Sequence, residues 1–313
     1  MNMNLFPQKK EKMIPVTTDR QRINTILSQL RETKATIQKD KREYYDEETD
    51  KQKIEKYYKN IDFENSGDNE LIQSLNQLLR ETHTNKVSYD PSEYVYPWVD
   101  LRPDGTLTSI YSGQKREAEE VIKEDYAISI KRKEEIEKIT DKNQNRIDHK
   151  LDQIAKDFKY NCEHSVPQSW FNEQEPMRGD IHHLFTCDPV CNSIRSNYPY
   201  HDFRDYKPEE MTSKRVEEQC GKADEGLFEP ENAKGTVARA MLYFLIRYPD
   251  GIESSYKEGI DTKLLLDWHQ NFPPTLYEKH RNQAIYDIQG NRNPFIDFPL
   301  VPVTTRILLN YVE

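Results

Sequence analysis

Residues 158–206, FKYNCEHSVPQSWFNEQEPMRGDIHHLFTCDPVCNSIRSNYPYHDFRDY, constrain the fold more than any other stretch of this chain. Tyr160–Val166 reads as a strand that stops at Pro167, since proline has no N–H to carry a ladder further. DIHHLF is a second strand-like run. CDPVCNSIRSN then reads as a loop entering a short helix near Pro189, a residue favoured at the first helical position. Strand, loop, strand, helix is the smallest ββα unit, and it brings Asn192 on the helix near Glu163 and His164 on the first strand. Neighbouring strand residues face opposite ways, so Glu163 and His164 share one site only if the strand end twists or a loop follows over it.

The flanks read mostly as helix. In residues 1–55, Ile23, Leu27, Leu30 and Ile37 recur at helical spacing before the charged run KDKREYYDEETDKQKIEK, which predicts a helix with one thin apolar stripe. Such a stripe suits a partner-docking or self-associating coiled coil, and equally a helix packed on its own domain, because two to three heptads do not decide. From about Tyr57 the pattern changes. NELIQSLNQLLRETH sets Leu71, Leu75 and Leu78 on one helical face, and VSYDPSEYVYPWVDLRPDGTLTSIYSG reads as short strands broken by turns. Residues 114–157 are charge-dense, with 12 basic and 12 acidic side chains between Gln114 and Tyr160, and read as solvated helix inserted ahead of the central segment. An amphipathic helix follows in NAKGTVARAMLYFLIRYP, with Val237, Met241, Phe244 and Tyr248 as its stripe and Asn232 or the preceding acid as its cap. LLLDWHQ is a further helix. The expected class is α+β, mixed and helix-rich, built around the ββα unit at 158–206, with a charged helical arm at 1–55 and the main domain at 56–313.

Composition limits the possible functions. Hydrophobic residues at 35% and charged residues at 32%, with a mean hydropathy of -0.98, lie near the polar edge for a packed domain. The 19 tyrosines argue that most of the chain folds, because disordered chains are poor in aromatics. A net charge of -10 disfavours a broad phosphate-binding surface, yet leaves room for a metal ion and a local basic strip. No apolar stretch near Met1 has signal-peptide length, and no run approaches the roughly 18 residues that span a membrane. Cys162, Cys187, Cys191 and Cys220 are too few for a disulfide framework; a zinc site with a histidine is open to them, although no CxxC pair exists. On this basis the chain is expected to be cytoplasmic or exported by a non-classical route, without membrane attachment.

The side chains of the central segment form a usable set. Hydrolysis of a phosphodiester needs a base to take a proton from water, a cation to offset charge on the phosphoryl oxygens, and donors to hold the phosphate. His164 can be the base. Glu163 and the amide oxygen of Asn192 are hard oxygen ligands suited to Mg²⁺. Arg178 and Arg195 are the nearest guanidinium groups. A Glu-His pair by itself is more often structural than catalytic.

The strings NCEHSVPQSWF, GDIHHLF and NSIRSNYPY, in that order, resemble the bacterial endonuclease I family, non-specific periplasmic or secreted DNases with a ββα-metal (His-Me finger) active site. FEPENAKGTVARAMLYFLIRY and RNQAIYDIQGNRNPFIDFP are similar to the family's C-terminal half, so the likeness covers about residues 57–313. The resemblance implies that Glu163 and Asn192 hold Mg²⁺, with Mn²⁺ or Ca²⁺ able to take its place for binding. It implies that His164 activates water and that the product carries a 5′-phosphate; the expected substrate is DNA, with RNA left open, and the absence of a recognition helix or other reader module argues for weak sequence specificity. Arg195, in the N-x-x-R-S-N motif, is then a phosphate contact or a helix-packing residue, and Arg178 a phosphate contact. The chain departs from the family in lacking the usual export signal, in its arm, and in the insertion 114–157, which is a spacer or part of a grip on DNA.

Several residues stay open. His182 and His183 are extra ligands or packed, hydrogen-bonded histidines. Asp180 orients a site group or caps a turn. Arg281, Asn291 and Arg292 border a substrate groove or pin the C-terminal loop. Beside the endonuclease stand two further hypotheses: a toxin or defence effector released by a protein partner through residues 1–55, and a catalytically dead nucleic-acid-binding module, against which intact Glu163, His164 and Asn192 argue.

Overall fold

In the computed structural model, residues 12–64, 66–141, 143–206 and 219–299 are described. The sequence KGTVARAMLYFLIR, residues Lys234–Arg247, forms a helix whose every residue from Val237 to Arg247 is buried. Two more helices, Asp68–Thr82 and Thr262–Asn271, pack against it. The stripe expected on Val237, Met241, Phe244 and Tyr248 is therefore only part of what this helix hides: alanines and glycine lie between the large residues and let neighbours approach from all sides. Asn232 does not cap it. Ala233, in the left-handed region at φ 65°, precedes the first turn, and Asn232 Nδ2 instead donates to Tyr111 O at 2.9 Å.

Numbered along the chain, the longer helices are α1 Arg20–Lys39, α2 Glu47–Tyr57, α3 Asp68–Thr82, α4 Ala118–Glu137, α5 Gln144–Asp157, α6 Pro189–Arg195, α7 Lys234–Arg247, α8 Thr262–Asn271 and α9 Leu276–Gln289. The strands pair as antiparallel two-stranded sheets: β1 Thr106–Thr108 with β2 Lys115–Glu117, β3 Cys162–His164 with β4 Leu184–Thr186, and β5 Gly221–Asp224 with β6 Leu227–Pro230. The chain is α+β and helix-rich, as the patterning predicts.

α1 starts where the Asp19 side chain accepts from Gln21 N and Arg22 N, the usual way to satisfy the first free amides of a helix. Its stripe, Ile23, Ile26, Leu27, Leu30 and Ile37, is buried in one cluster with Val95, Val99, Val121 and Leu184, so the apolar face of this helix packs on its own chain. Ion pairs Arg31–Glu119 and Lys34–Glu117 close the rim; exposed pairs of this kind contribute little. In α3 the buried leucines are Leu71, Leu75 and Leu79, with Leu78 half-buried.

Two sequence expectations change. Pro91–Val99, read as strand, is a helical turn running into a π-helical turn. Asp90 caps it by accepting from Glu93 N, and Pro91 takes the first position, so local capping outweighs the β preference of valine and tyrosine. The charged stretch 114–157 is helical as expected in α4 and α5, but α4 is more than solvated helix: Val121, Ile122, Asp125, Ser129 and Arg132 are buried. Among the described residues no helix is long and apolar enough to cross a membrane.

Candidate active site

β3 and β4 are buried along their whole length, with Glu163 opposite Phe185 and His164 opposite Leu184. The second strand is shorter than expected. Asp180 accepts from His182 N and folds Ile181–His183 into a 3₁₀ turn, because a carboxylate that bonds the backbone two residues on competes with strand pairing. Gly179, just ahead of this turn, lets the Val87 carbonyl approach closely: a Cβ there would stand 2.0 Å from Val87 O. After β4 the Asp188 side chain accepts from Val190 N and Pro189 opens α6. Asn192 Nδ2 then donates to Cys162 O at 3.0 Å, which fastens α6 to β3. A disulfide from Cys191 to Cys220 ties the same helix to the residue before β5. Two of the four cysteines are thus bonded to each other and supply no zinc thiolate, while Cys162 and Cys187 are free and buried.

Glu163 is 4% exposed. Its Oε1 accepts from the Tyr111 hydroxyl at 2.9 Å and lies 3.1 Å from Arg195 Nε, whereas Oε2 takes no side-chain hydrogen bond among the described residues. Burial pushes its carboxyl up to about 7, against the opposing pull of Arg195, Tyr111, the His164 backbone and Lys159. His164 Nε2 lies 3.0 Å from Arg178 O. A carbonyl can only accept, so the proton sits on Nε2 and Nδ1 carries the lone pair. Burial, with His183 nearby, holds the ring well below the ordinary histidine range and keeps it neutral.

The two arginines differ. Arg178 Nε donates to Gln168 Oε1 at 2.9 Å and Nη2 to Lys12 O at 2.8 Å, and the side chain lines a cleft of about 410 Å³. Arg195 is fully buried; Nη2 donates to Ser165 O, Nη1 to Ser196 O, and Nε faces Glu163. Of the two readings for Arg195 its burial favours packing and charge balance over phosphate contact. Asn192, Lys159, Gln168 and Cys162 also line the cleft, Lys12 and Met13 close one side, and α5 adds Asp148 and Asp152. Glu163 and His164 are not on its wall, but follow Cys162 directly in the chain.

His182 and His183 are buried, with Nε2 atoms 3.3 Å from Asn291 O and 2.7 Å from Met177 O, as packed histidines are. Arg281 and Arg292 face inward rather than onto a groove: Arg281 pairs with Asp100, and Arg292 with Asp50 and Asp297. Tyr111 went unread in the sequence, because it touches Glu163 across a separation of 52 residues and no local pattern marks it.

Among the described residues no group of three or more His, Cys, Asp or Glu side chains converges as a metal site. Two oxygens are available, Glu163 Oε2 and Asn192 Oδ1, the latter freed for the acceptor role because Nδ2 is bonded to Cys162 O. So small and hard a donor set fits Mg²⁺, which keeps several waters.

The profile of a family described as Endonuclease I matches residues 68–300. An extracellular ribonuclease of Bacillus amyloliquefaciens is 34% identical over 134 residues, 38% of this chain and 44% of that protein. An extracellular deoxyribonuclease of Aeromonas hydrophila is 32% identical over 130 residues, 40% of this chain and 52% of that one. A periplasmic deoxyribonuclease of the same organism is 30% identical over 153 residues, 48% and 57% respectively. The chain spans about half the length of these curated relatives. The expected cytoplasmic or non-classically exported location is overturned: a disulfide belongs to an oxidising compartment, and the relatives are named for extracellular and periplasmic locations. The match over most of the chain and the ordered motifs lead to one conclusion: this chain belongs to the endonuclease I family.

Proposed function

We propose that the protein is a metal-dependent endonuclease of weak sequence specificity, acting on DNA through a ββα-metal (His-Me finger) core made of β3, β4 and α6. The observation that carries this reading is the junction of β3 and α6, where the Asn192 amide bonds the carbonyl of Cys162, the residue just before the Glu163–His164 pair, in a chain of this family. Glu163 and Asn192 would hold a divalent cation, Mg²⁺ by the hardness of the donors; when bound, it supplies positive charge to offset the negative charge that develops on the phosphoryl oxygens. His164 does the proton work. Its Nε2 is tied to Arg178 O, so Nδ1 takes the proton from a water attacking phosphorus, the P–O3′ bond breaks, and the 3′-oxygen leaves to be protonated by solvent water, which leaves a 5′-phosphate. Arg178, at the cleft, holds a phosphate oxygen, while Arg195 balances the charge of Glu163. Residues 12 and 13 wall the cleft, so for the arm, residues 1–55, the proposed role is in shaping and stabilising the site rather than in the chemical step.

The relatives are named for ribonuclease and deoxyribonuclease alike, which makes RNA the second substrate to test. Purified protein is incubated with plasmid, single-stranded DNA and RNA, with Mg²⁺, Mn²⁺ or EDTA, and the product ends are typed. Cleavage that needs metal and leaves 5′-phosphate ends is expected. No cleavage of any of the three with either metal would sink the reading.

A further inference from the structure

Tyr111 lies outside every motif that carries the site, just after β1, and is fully buried. Its hydroxyl donates to Glu163 Oε1 and lies 2.9 Å from the Tyr200 hydroxyl. The Arg195 guanidinium lies 5.1 Å from the centroid of the Tyr200 ring, and its Nε stands 3.1 Å from Glu163 Oε1 as an ion pair. Valence sets the direction of the two phenols. The single O–H of Tyr111 goes to Glu163, so the O–H of Tyr200 goes to Tyr111. The chain of hydroxyl donors ends on one carboxylate oxygen. Phe228 on β6 backs both phenols, with its ring 5.0 Å from that of Tyr111 and its backbone bridged to Tyr200.

We propose that Tyr111 and Tyr200 are positioning residues for Glu163: Tyr111, itself held by Tyr200, ties down Oε1 and leaves Oε2 as the oxygen presented to a divalent cation. The proposal rests on the reading of Glu163 as a metal ligand. Groups that hydrogen-bond a ligand fix its orientation, and their loss typically lowers metal affinity about 10–100-fold. A phenol that merely filled space would be replaced by phenylalanine with no change in metal binding.

The test is calorimetric titration of Mn²⁺ into the full chain and into Tyr111→Phe, Tyr200→Phe, the double variant and Glu163→Gln, beside thermal melts in EDTA. Tyr111→Phe is expected to bind Mn²⁺ about 10–100-fold more weakly, with a melting temperature close to that of the parent and with cleavage restored as Mn²⁺ is raised. Tyr200→Phe should lose less, and the double variant should be no worse than Tyr111→Phe, since Tyr200 acts through Tyr111. A folded Tyr111→Phe with parental Mn²⁺ affinity, while Glu163→Gln has lost binding, overturns the positioning role and spares the site. Parental binding by Glu163→Gln overturns the ligand reading and this proposal with it. Should Tyr111→Phe fail to fold, parental affinity in Tyr200→Phe is the result that overturns it.

Discussion

Glu163 lies on β3 and Asp180 just ahead of its partner strand β4, and the protein treats these two buried carboxylates in opposite ways. Asp180 is fully used. Oδ2 accepts from the Tyr243 and Tyr248 hydroxyls at 2.8 and 2.9 Å, and Oδ1 from Gln289 Nε2 and His182 N, each at 3.1 Å. Burial alone would push its carboxyl up, but the imidazoles of His83, His182 and His183 and the Gln289 hydrogen bond hold it below the ordinary range. Glu163 has its side-chain partners on one oxygen and is pushed up to about 7. A buried acid with both oxygens filled is a fastener. One whose side-chain partners crowd a single oxygen can still take a ligand on the other, and perturbed groups of that kind gather at functional sites.

The largest effect should come from breaking the fastener. Asp180→Ala strands two phenols and an amide in the core, and unsatisfied buried groups cost about 1–3 kcal/mol each. A stability loss on the order of 3–5 kcal/mol is expected by urea unfolding, large against the total of a typical domain. Glu163→Gln should change stability by about 1 kcal/mol or less at pH 4.5, where the parent carboxyl is neutral in the fold at little cost. Equal losses in the two variants would end the distinction drawn here.

Next in size is turnover. His164→Ala should keep its fold and its Mn²⁺ affinity while losing roughly 10²–10⁴-fold in cleavage rate, and raising the metal should not help. Glu163→Ala and Asn192→Ala should recover in part at high Mg²⁺ or Mn²⁺, because mass action refills a weakened site. Loss of metal affinity in all three alike would make His164 a ligand.

The pH dependence of stability sharpens the contrast, with opposite signs for the two acids. Glu163 has a folded pKa above its unfolded one, so it favours the folded state at low pH and loses that advantage as pH rises from about 4.5 through 7. For the metal-free protein this amounts to roughly 3 kcal/mol, a drop that Glu163→Gln should lack when both are unfolded by urea in EDTA at pH 5 and pH 8. Asp180 has a depressed pKa, so its contribution is complete above the unfolded value near 3.8 and fades only at lower pH. A parent and a Glu163→Gln variant with parallel pH profiles would show that the carboxyl is not perturbed.

The smallest effect is expected at the rim. Arg178→Ala should weaken nucleic-acid binding by about tenfold or less and reduce the slope of log affinity against log salt by about one, measured by anisotropy with Ca²⁺ in place of Mg²⁺. An unchanged slope would take Arg178 off the phosphate.

The residues of the candidate centre stand out in the sequence because local chemistry frames them. Pro167 follows the Glu163–His164 strand, Pro189 opens the helix that carries Asn192, and the motifs around them resemble those of one family. What stayed illegible depends on distant partners. Val95–Val99 has the composition of a strand and became helical through the Asp90 cap. Cys191 finds Cys220 across 29 residues, and nothing in the spacing pairs them. The α1 stripe could have served a partner or the chain itself, and the answer came from the surface formed by Val95, Val121 and Leu184.

By itself the sequence determined the periodicities, the helix start at Pro189, the helix-rich α+β class, and a short list of side chains near β3. Tertiary structure decided what each of them faces. Asn192 and Arg195 are three apart on α6 and share a helical face, so the sequence says that both turn the same way. Packing put Asn192 at the cleft and sealed Arg195 beneath it, against Glu163, Ser165 and Tyr200. Periodicity fixes direction about a helix axis, but depth below the surface is set by what the rest of the chain lays on top, and the β5–β6 hairpin that carries Phe228 to the two tyrosines is remote in sequence from both.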